Sequence, residues 1–210
     1  CEHHTLVDAI LGYMQFEIDG PTKRLLVVCA KSGLYEPQRM PFGPSPAPAN
    51  MQSYVHTKFG NLKDSRGNRF CSPCMDDLKV SSRTLDDHIE HVGLLCKAAR
   101  AEGFEFKWKK CQLNQGQIEF GGCICDGAGK RMMPKKIEQL ENWPEPVSNE
   151  AVVSFLCFVS YLREFMPPAW LECEQVLGGF RKKDSDFSRW YQDDKYKEAF
   201  YRLRTMVNAN

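Results

Sequence analysis

Two adjacent carboxylates, Asp76 and Asp77, have the residue type and spacing that could do chemistry in this chain. The segments on either side, Phe70–Cys74 and Leu78–Val80, are typical of short strands, so we predict a hairpin with the pair at its turn. Neighbouring residues in a straight strand point to opposite faces, whereas at a turn both carboxylates can lie near one edge. Two close carboxylates repel each other unless a proton or cation lies between them. A Mg²⁺ ion held by carboxylates and substrate phosphates meets that need.

An Asp-Asp pair by itself is a weak sign of a metal site. The chain has two more such pairs, Asp86-Asp87 and Asp193-Asp194. The ordinary interpretation of each is a solvated turn or the start of a helix. The surrounding sequence must therefore distinguish a metal site from a turn.

The composition is that of an ordinary globular protein, with 42% hydrophobic and 26% charged residues in a chain of 210. This balance predicts a packed core, and the length suffices for one large domain or two small ones. The formal net charge is +1, so a nucleic-acid site would have to be local. One dense basic stretch could contact phosphates or could equally form a solvated face. It comprises Lys107, Lys109, Lys110, Lys130, Arg131, Lys135 and Lys136.

The ten cysteines bear on redox setting and metal binding. No segment resembles a secretory signal or a membrane span, so we expect an intracellular, reduced setting in a compartment that the sequence does not specify. Four cysteines could form a zinc site, or they could be small buried hydrophobes. We favour the second interpretation because Cys123 and Cys125 fall in an alternating strand pattern. The four are Cys71, Cys74, Cys123 and Cys125.

The helical and extended patterns together predict an α+β fold. Thr84 is a good N-cap and the apolar periodicity after it ends before Gly103, so we predict an amphipathic helix between them. We expect His88 and His91 on the surface of this helix. Its predicted core stripe comprises Leu85, Ile89, Val92, Cys96 and Ala99.

The second half of the chain changes from strands to helices. Alternating apolar residues predict strands at Phe104–Lys109 and Ile118–Ile124. Pro134 suits the first turn of a helix, and the proline-containing segment Glu145–Val147 is typical of a linker. Ser148 is the expected N-cap of the first of several helices that follow.

A series of short motifs has the order and spacing of one known family. The motifs are Leu6–Gln15, Gly33–Glu36, Arg39–Gly43, Ala47–Gln52, Cys74–Asp77, Lys109–Cys111, Phe120–Gly122, Trp143–Pro146 and Ser154–Leu156. Each is common alone, but their combination is specific. By these motifs the chain resembles the reverse transcriptases of Gypsy-type LTR retrotransposons, in which Cys74–Asp77 corresponds to the Tyr-x-Asp-Asp motif.

The resemblance implies both a fold and a catalytic centre. The fold is a reverse-transcriptase palm, an antiparallel sheet with packed helices, followed by a mostly helical thumb and connection. Asp8 joins Asp76 and Asp77 as the catalytic carboxylates that hold two Mg²⁺ or Mn²⁺ ions. Such ions can activate a primer hydroxyl and stabilise the leaving pyrophosphate. Without the later pair, Asp8 would be interpreted as a polar residue that ends a strand.

The resemblance also implies a set of substrate contacts. Tyr13 would exclude the ribose 2′-hydroxyl and so select deoxynucleotides, and its ring could pack in the core as well. Phe42 and Gly43 would lie under the incoming nucleotide. Gln52 and Lys110 complete the predicted substrate-binding set. The implied partners are an RNA or DNA template-primer and a deoxynucleoside triphosphate.

Three departures from the family pattern count against activity. Cys74 stands where the carboxylate motif has an aromatic residue. The segment Gly43–Ala47 contains prolines that could stiffen a loop that must adjust to substrate. Lys79 stands where a buried aliphatic residue is usual, and it could lie close enough to neutralise an aspartate.

We predict a palm-like domain at 1–144 and a helical thumb and connection at 145–210. Neither the family's fingers nor its ribonuclease H is recognisable, and the chain begins at Cys1, so we expect a processed piece or a fragment. Catalysis in this family is mostly positioning and charge neutralisation, so losing the fingers should cost several powers of ten in rate. We therefore expect an RNA-directed DNA polymerase by ancestry that is inactive as this chain alone.

The alternative function belongs to a different class. The chain would be a domesticated, non-catalytic structural or interaction subunit that binds protein partners within a larger assembly. A truncated palm would expose apolar sheet surface that a partner should cover. Metal binding separates the hypotheses, because Asp76→Asn should abolish primer extension by a catalytic chain and leave a scaffold unaffected.

Overall fold

The computed structural model describes residues 1–182 and 185–206. The chain divides into two compact units, Cys1–Gly121 with Cys125–Gly129, and Gly122–Ile124 with Lys130–Asn210. Antiparallel sheets and helices occur together, so the predicted α+β class is confirmed. The boundary at 144–145 concerns the family's palm and thumb, and it stays a prediction.

The first unit contains the largest sheet. The elements in this part of the chain are β1 (His3–Asp8), a 3₁₀ turn (Gly12–Gln15), α1 (Gly20–Leu25), β2 (Val28–Ala30), β3 (Gly33–Tyr35), α2 (Ala47–Lys58), β4 (Cys71–Cys74), β5 (Asp77–Ser82), α3 (Leu85–Glu102), a second 3₁₀ turn (Trp108–Lys110), β6 (Gln112–Gln115) and β7 (Gln117–Phe120). Four strands form an antiparallel sheet in the order β4-β5-β1-β6, while β2 and β3 form a separate hairpin. Since β1 and β5 are interior strands, pairing on both sides fixes them.

One face of this sheet packs into an apolar core. Along β5, Leu78 and Val80 are fully buried, whereas Asp77 and Lys79 are only partly buried. This alternation follows from the period of two in a strand. The core includes Val7 from β1 and side chains of α2 and α3. Asp77 therefore belongs to the face of the sheet that does not point into this core.

The helix caps expected from the sequence are confirmed. The Asp87 amide donates to Thr84 Oγ1 at 3.2 Å, and α3 ends at Gly103 in the left-handed region with φ 64°. In the second unit the Ala151 amide donates to Ser148 Oγ at 3.3 Å. These bonds satisfy backbone groups that a helix end leaves unpaired.

The buried face predicted for α3 is partly wrong. Leu85 and Ile89 are 47% and 65% exposed, whereas His88 and His91, expected on the surface, are 3% and 5% exposed. Hydroxyl groups from β1 and β5 form hydrogen bonds with the two imidazoles. Burying a polar ring costs less when its nitrogen atoms form hydrogen bonds, as both nitrogens of His88 and Nδ1 of His91 do, so these strands change which face of the helix is buried.

Neither of the two predicted strands forms as one continuous strand. The segment Ile118–Ile124 turns at Gly121 and Gly122, whose φ angles are 57° and 76°, and continues as β8 (Cys123–Asp126). Glycine adopts such angles without steric cost, which allows the tight turn. The segment Phe104–Lys109 forms one bridge, between Phe106 and Ala9, and then enters the second 3₁₀ turn.

The second unit is mainly helical, as the sequence predicts. The remaining elements are β9 (Gly129–Met132), α4 (Pro134–Glu141), α5 (Asn149–Tyr161), a 3₁₀ turn (Arg163–Phe165), α6 (Trp170–Gly178), a further 3₁₀ turn (Gly179–Arg181), α7 (Arg189–Gln192) and α8 (Lys195–Thr205). Fully buried Phe155, Trp190 and Phe200 lie in its core. Glu145 accepts hydrogen bonds from Trp190 Nε1 at 3.0 Å and from the Tyr201 hydroxyl at 2.8 Å, so the predicted linker is tied to α7 and α8. No helix among the described residues combines the length and apolar character needed to cross a bilayer.

The four cysteines considered as a zinc site are not arranged as one. Within residues 1–182 and 185–206, no group of three or more His, Cys, Asp or Glu side chains has a suitable arrangement for a metal ion. Cys71 packs in the core of the first unit, where burial raises the pKa of its thiol to about 12. Cys71 therefore serves as a small hydrophobe.

Candidate active site

Strand pairing brings Asp8 and Asp77 together. β1 and β5 are antiparallel with Val7 opposite Leu78 and Asp8 opposite Asp77. Residues directly opposite each other in such a pair have Cβ atoms about 4.5–5.5 Å apart on the same face. Two of the three carboxylates predicted to be catalytic are therefore neighbours at one end of the sheet.

Asp76 lies in the turn that joins β4 to β5. The turn has two residues between the paired Cys74 and Asp77, and Met75 occupies the left-handed region with φ 53°. The Ala9 amide donates to the carbonyl oxygen of Asp76 at 2.9 Å, which links the turn to the residue after Asp8. The predicted hairpin is confirmed, and backbone bonds hold all three carboxylate-bearing residues at the same sheet end.

Gln52 on α2 contacts this hairpin. Its Oε1 accepts a hydrogen bond from the Met75 amide at 2.7 Å, and its Nε2 donates to the Pro73 carbonyl at 3.4 Å. These bonds satisfy backbone groups at a turn whose φ angle is unfavourable for methionine. The side chain thus fixes the hairpin, and its predicted substrate contact stays a prediction.

Gly12 lies directly against the carboxylate of Asp76. A Cβ atom added at Gly12 would lie 2.6 Å from Asp76 Oδ1 and 2.5 Å from Met51 Cε. Both distances are shorter than van der Waals contact allows. A larger residue in the first 3₁₀ turn would therefore force Asp76 or Met51 to shift, a constraint that the sequence alone did not reveal.

Gln15 is a second residue whose role the sequence did not reveal. Its Nε2 donates to the carbonyl oxygens of Ile10 at 2.6 Å and Glu105 at 2.9 Å, while its Oε1 accepts from the Glu105 amide at 2.7 Å. The side-chain amide of Gln15 thereby links the backbone segment after β1 to the segment around Glu105. A glutamine in a 3₁₀ turn has no sequence signature for this role, because two of its three partners are backbone groups of Glu105, ninety residues away.

The three carboxylates make the local charge unfavourable. Burial and the charge of Asp8 raise the pKa of Asp76 above its ordinary value. Burial raises the pKa of Asp77 as well, with further contributions from Asp8 and Asp76, and Lys110 partly opposes these effects. Such a cluster favours a proton or a cation between its members.

Lys110, and not Lys79, is the lysine beside the carboxylates. Lys110 Nζ lies 3.7 Å from Asp8 Oδ2. Lys79 Nζ lies 3.6 Å from Cys125 Sγ and 5.2 Å from the ring centroid of Phe120. Lys79 is thus engaged by a thiol and a ring instead of pairing with an aspartate, and this contact reduces the cost of its partial burial.

The predicted nucleotide-contacting aromatic residues lie together. The rings of Tyr13 and Phe42 meet edge to face, with centroids 5.3 Å apart. Tyr13 also packs against the core of the first unit, whereas Phe42 is 63% exposed. Gly43 has φ 115° and open space where a Cβ would lie. The Phe42 side chain is therefore largely accessible, and the substrate roles of these three residues stay predictions.

The carboxylates fit a hard divalent cation by chemical type. Mg²⁺ and Mn²⁺ prefer oxygen ligands and often take one or two carboxylates together with waters and substrate phosphates. The described part of the chain holds no ready-made group of three ligands. Asp8, Asp76 and Asp77 therefore stay predicted ligands.

Comparison with known proteins shows the family of the chain. The profile of the family described as reverse transcriptase (RNA-dependent DNA polymerase) matches residues 5–125. The chain is 26% identical over 207 residues to the retrovirus-related Pol polyprotein from transposon 297 of Drosophila melanogaster, covering 99% of this chain and 19% of that protein. It is 28% identical over 165 residues to the transposon Tf2-3 polyprotein of Schizosaccharomyces pombe, covering 79% of this chain and 12% of that protein. The chain thus spans less than a fifth of these relatives.

Solved structures show the same fold. A foamy viral protease-reverse transcriptase in complex with double-stranded DNA matches with a TM-score of 0.72 and 18% identity, covering 99% of this chain and 36% of the other. The foamy viral enzyme in complex with an RNA/DNA hybrid matches with a TM-score of 0.70 and 17% identity, covering 99% of this chain and 28% of the other. At such identities the likeness concerns the fold alone.

Proposed function

Since the chain belongs to the reverse transcriptase family, we propose that it supplies the metal-binding carboxylates of an RNA-directed DNA polymerase. The observation that carries the proposal is the β1–β5 register, which sets Asp8 opposite Asp77 with Asp76 in the adjoining turn. Mutual repulsion between these carboxylates is the property that a divalent cation would relieve.

In the proposed mechanism Asp8, Asp76 and Asp77 would hold Mg²⁺ or Mn²⁺. When bound, the ions supply Lewis-acid stabilisation to the primer hydroxyl and the leaving pyrophosphate. Tyr13 and Phe42 form a surface for the sugar and base of the incoming nucleotide. The template-primer would be an RNA or DNA strand pair, as the complexes of the foamy viral enzymes suggest by analogy.

We further propose that these 210 residues alone bind metal without extending a primer. Two departures from the family pattern support this proposal. Cys74 stands where the carboxylate motif has an aromatic residue, and prolines within Gly43–Ala47 stiffen a loop that must adjust to substrate. Positioning supplies most of the rate in phosphoryl-type transfer, and a misplacement of about 1 Å can cost about 100-fold in rate.

Metal titration tests this function. Isothermal calorimetry with MnCl₂ should show binding by the wild-type chain and a loss of at least about tenfold in affinity for Asp8→Asn and Asp77→Asn. Asp86→Asn, which changes an exposed carboxylate in the first turn of α3, is the matched control. Equal Mn²⁺ affinity in all four proteins would refute the proposal, whatever a primer-extension assay shows.

The second candidate function is a non-catalytic structural subunit. A specific observation favours it: Leu25, Val28, Leu34 and Tyr35, on and around the β2–β3 hairpin, are each more than half exposed. A small hairpin with apolar residues in solvent is marginally stable and invites a covering protein. The native mass of the chain from its source, with co-migrating chains identified, separates the candidates. A fixed ratio within a large complex, with no Mn²⁺ binding, would favour the subunit.

A further inference from the structure

A chain of buried polar side chains crosses the first unit between the 61–68 loop and β1. Thr5 Oγ1 lies 2.7 Å from His88 Nε2, and Ser82 Oγ lies 2.9 Å from His88 Nδ1. Ser82 Oγ also lies 2.8 Å from His91 Nδ1. His91 Nε2, which makes no hydrogen bond within the described residues, lies 3.6 Å from Asp64 Oδ2. All five residues are buried.

The carboxylate at one end of this chain is firmly held. Asp64 Oδ1 accepts hydrogen bonds from the Arg66 amide at 2.9 Å and the Asn68 amide at 2.7 Å, and its side chain is 1% exposed. Burial would raise the pKa of Asp64, but hydrogen bonds from Asn68 and Arg66 lower it to about 2. Asp64 is therefore ionised at neutral pH and can only accept hydrogen bonds.

With both imidazoles neutral, this carboxylate leaves one consistent order of protons. His91 must carry its proton on Nε2, facing Asp64, so its Nδ1 accepts from the Ser82 hydroxyl. The single hydroxyl hydrogen of Ser82 is then used in the bond to His91, so Ser82 Oγ accepts a hydrogen bond from His88 Nδ1. His88 Nε2 then accepts from the Thr5 hydroxyl, whose oxygen accepts from the Asn114 amide at 3.1 Å. The opposite order would set a lone pair of His91 against the carboxylate.

We propose that Asp64 is a positioning residue that, through His91, Ser82, His88 and Thr5, sets two histidine tautomers and locks β1 to β5. Thr5 lies on β1, which ends at Asp8. Ser82 lies on β5, which begins at Asp77. These hydrogen bonds join α3, which carries both histidines, to β1 and to β5. The positioning of the carboxylates rests on the proposed function, whereas the tautomers and the strand lock do not.

The other charged or titratable groups near these hydrogen-bonded side chains lie on β1, on α3 and in the 61–68 loop. His3 and His4 on β1 act on His88, Asp87 on α3 is paired with Arg66, and Arg66 also contacts Asp64. None of these groups interrupts the hydrogen bonds between Thr5 and His91, so the carboxylate of Asp64 remains the group that decides the proton order.

The test is the tautomeric state of the histidines in the full 210-residue chain without metal. Long-range ¹H–¹⁵N correlation spectra of protein labelled with ¹⁵N-histidine report which ring nitrogen carries the proton. In the wild-type chain we expect His88 protonated at Nδ1 and His91 at Nε2. The opposite tautomers, or a mixture at either ring, would overturn the proposal even if every variant failed to fold.

Asp64→Asn should reverse the order. Because backbone amides hold Oδ1, the new amide nitrogen takes the place of Oδ2 and donates to His91 Nε2, while the hydrogen bonds that Oδ2 accepts from Arg66 and Asn68 are lost. We expect both tautomers to switch in Asp64→Asn. Ser82→Ala removes the hydroxyl that joins the two imidazoles, so in that variant we expect the exchange of the Ala9 amide, which bonds Asp76, to accelerate at least about tenfold. Asp86→Asn is the control and should change neither.

The outcomes separate the two proposals. Unchanged tautomers in Asp64→Asn would overturn the role of Asp64, and unchanged Ala9 exchange in Ser82→Ala would overturn the strand lock. Failure of the wild-type chain to bind Mn²⁺ would count against the polymerase function alone, because neither the tautomers nor the Ala9 exchange depends on metal.

Discussion

At the scale of single residues, Asp77 lies where its negative charge costs free energy. It faces Asp8 across the β1–β5 pair, next to Asp76, and burial together with these charges raises its pKa. A carboxyl group whose pKa is raised on folding destabilises the folded chain once it is ionised. The cost is therefore present at neutral pH and disappears as the pH falls below the ordinary range of aspartate.

Asp77→Asn should consequently stabilise the metal-free chain while it weakens metal binding. The substitution keeps the shape of the side chain and removes one of three neighbouring charges. We expect a higher Tm by differential scanning calorimetry in EDTA, and no stabilisation by Mn²⁺. Asp86→Asn serves as control, with little change expected in either measurement. A lower Tm for Asp77→Asn would contradict this account of the site.

His88 makes the free energy of unfolding depend on pH. Burial, with smaller contributions from His3, His91 and His4, lowers the pKa of His88 from 6.5 to about 4. The unfolded chain therefore binds a proton first as the pH falls. The contribution to stability is complete above pH 6.5 and declines between pH 6.5 and about 4. By linkage the total decline is about 3 kcal/mol.

Urea unfolding between pH 7 and pH 4 measures this decline. His88→Gln should flatten the dependence on pH, at some cost in stability at neutral pH because the bonds to Thr5 and Ser82 are disturbed. His56→Gln, at an exposed histidine of α2, should keep the wild-type dependence. Equal slopes for both variants would mean that other groups cause the decline.

At the scale of elements, the carboxylates depend on two neighbours of the β4–β5 hairpin. The first 3₁₀ turn presents Gly12 to Asp76, and α2 presents Gln52 to the backbone of Met75. Neither element carries a predicted metal ligand. Each nevertheless restricts where the turn of the hairpin can lie.

Gly12→Ala should displace Asp76 without removing any charge. The added methyl group would overlap Asp76 Oδ1 and Met51 Cε. Overpacking of this kind costs about 1–3 kcal/mol, and a disturbed ligand shell costs about 10- to 100-fold in metal affinity. Gly93→Ala is the matched control, because its Cβ would meet nothing within 4 Å and lies inside α3. That control should gain about 0.5–1 kcal/mol.

Gln52→Met should loosen the hairpin turn. The Met75 amide would lose its partner within the partly buried turn, at a cost of about 1–3 kcal/mol. We expect faster hydrogen exchange at the Met75 amide. We also expect weaker Mn²⁺ binding. Gln112→Met, on exposed β6, should leave both unchanged. Wild-type exchange at Met75 would show that the hairpin holds its turn without α2.

At the scale of the whole molecule, several apolar residues on and near the β2–β3 hairpin of the first unit are exposed to solvent. Leu25 is 84% exposed and Leu34 is 73% exposed. Exposed apolar residues that cluster drive association when no partner covers them. This surface bears on whether the chain works alone or within an assembly.

Leu25→Asp combined with Leu34→Asp should reduce self-association of the purified chain. We expect light scattering to show concentration-dependent growth in mass for the wild type and a lower mass for the double variant. Leu171→Asp, which changes an exposed leucine in the second unit, should behave as the wild type does. A wild-type chain that stays monomeric at high concentration would argue against a partner-covered hairpin.

The sequence predicted the parts of this molecule whose cause is local. The caps Thr84, Gly103 and Ser148 act through bonds to residues at most a few positions away, so residue type and spacing suffice to place them. The α+β class follows from periodicity, and the reverse-transcriptase family from the order of the motifs around Asp8 and Asp76. The hairpin turn follows from the short strands on either side of the aspartates.

Tertiary structure decided what depends on partners distant in the chain. The buried face of α3 could not be read from apolar periodicity, because His88 and His91 are buried only where Thr5 and Ser82 meet them. Gly12 has no reason to be glycine until Asp76 lies against it. Lys79 is as near to the aspartates in sequence as any lysine, yet it contacts Cys125, and Lys110 reaches Asp8 instead. A strand's register and a helix's packing determine such contacts, and both are set by the whole core rather than by local sequence.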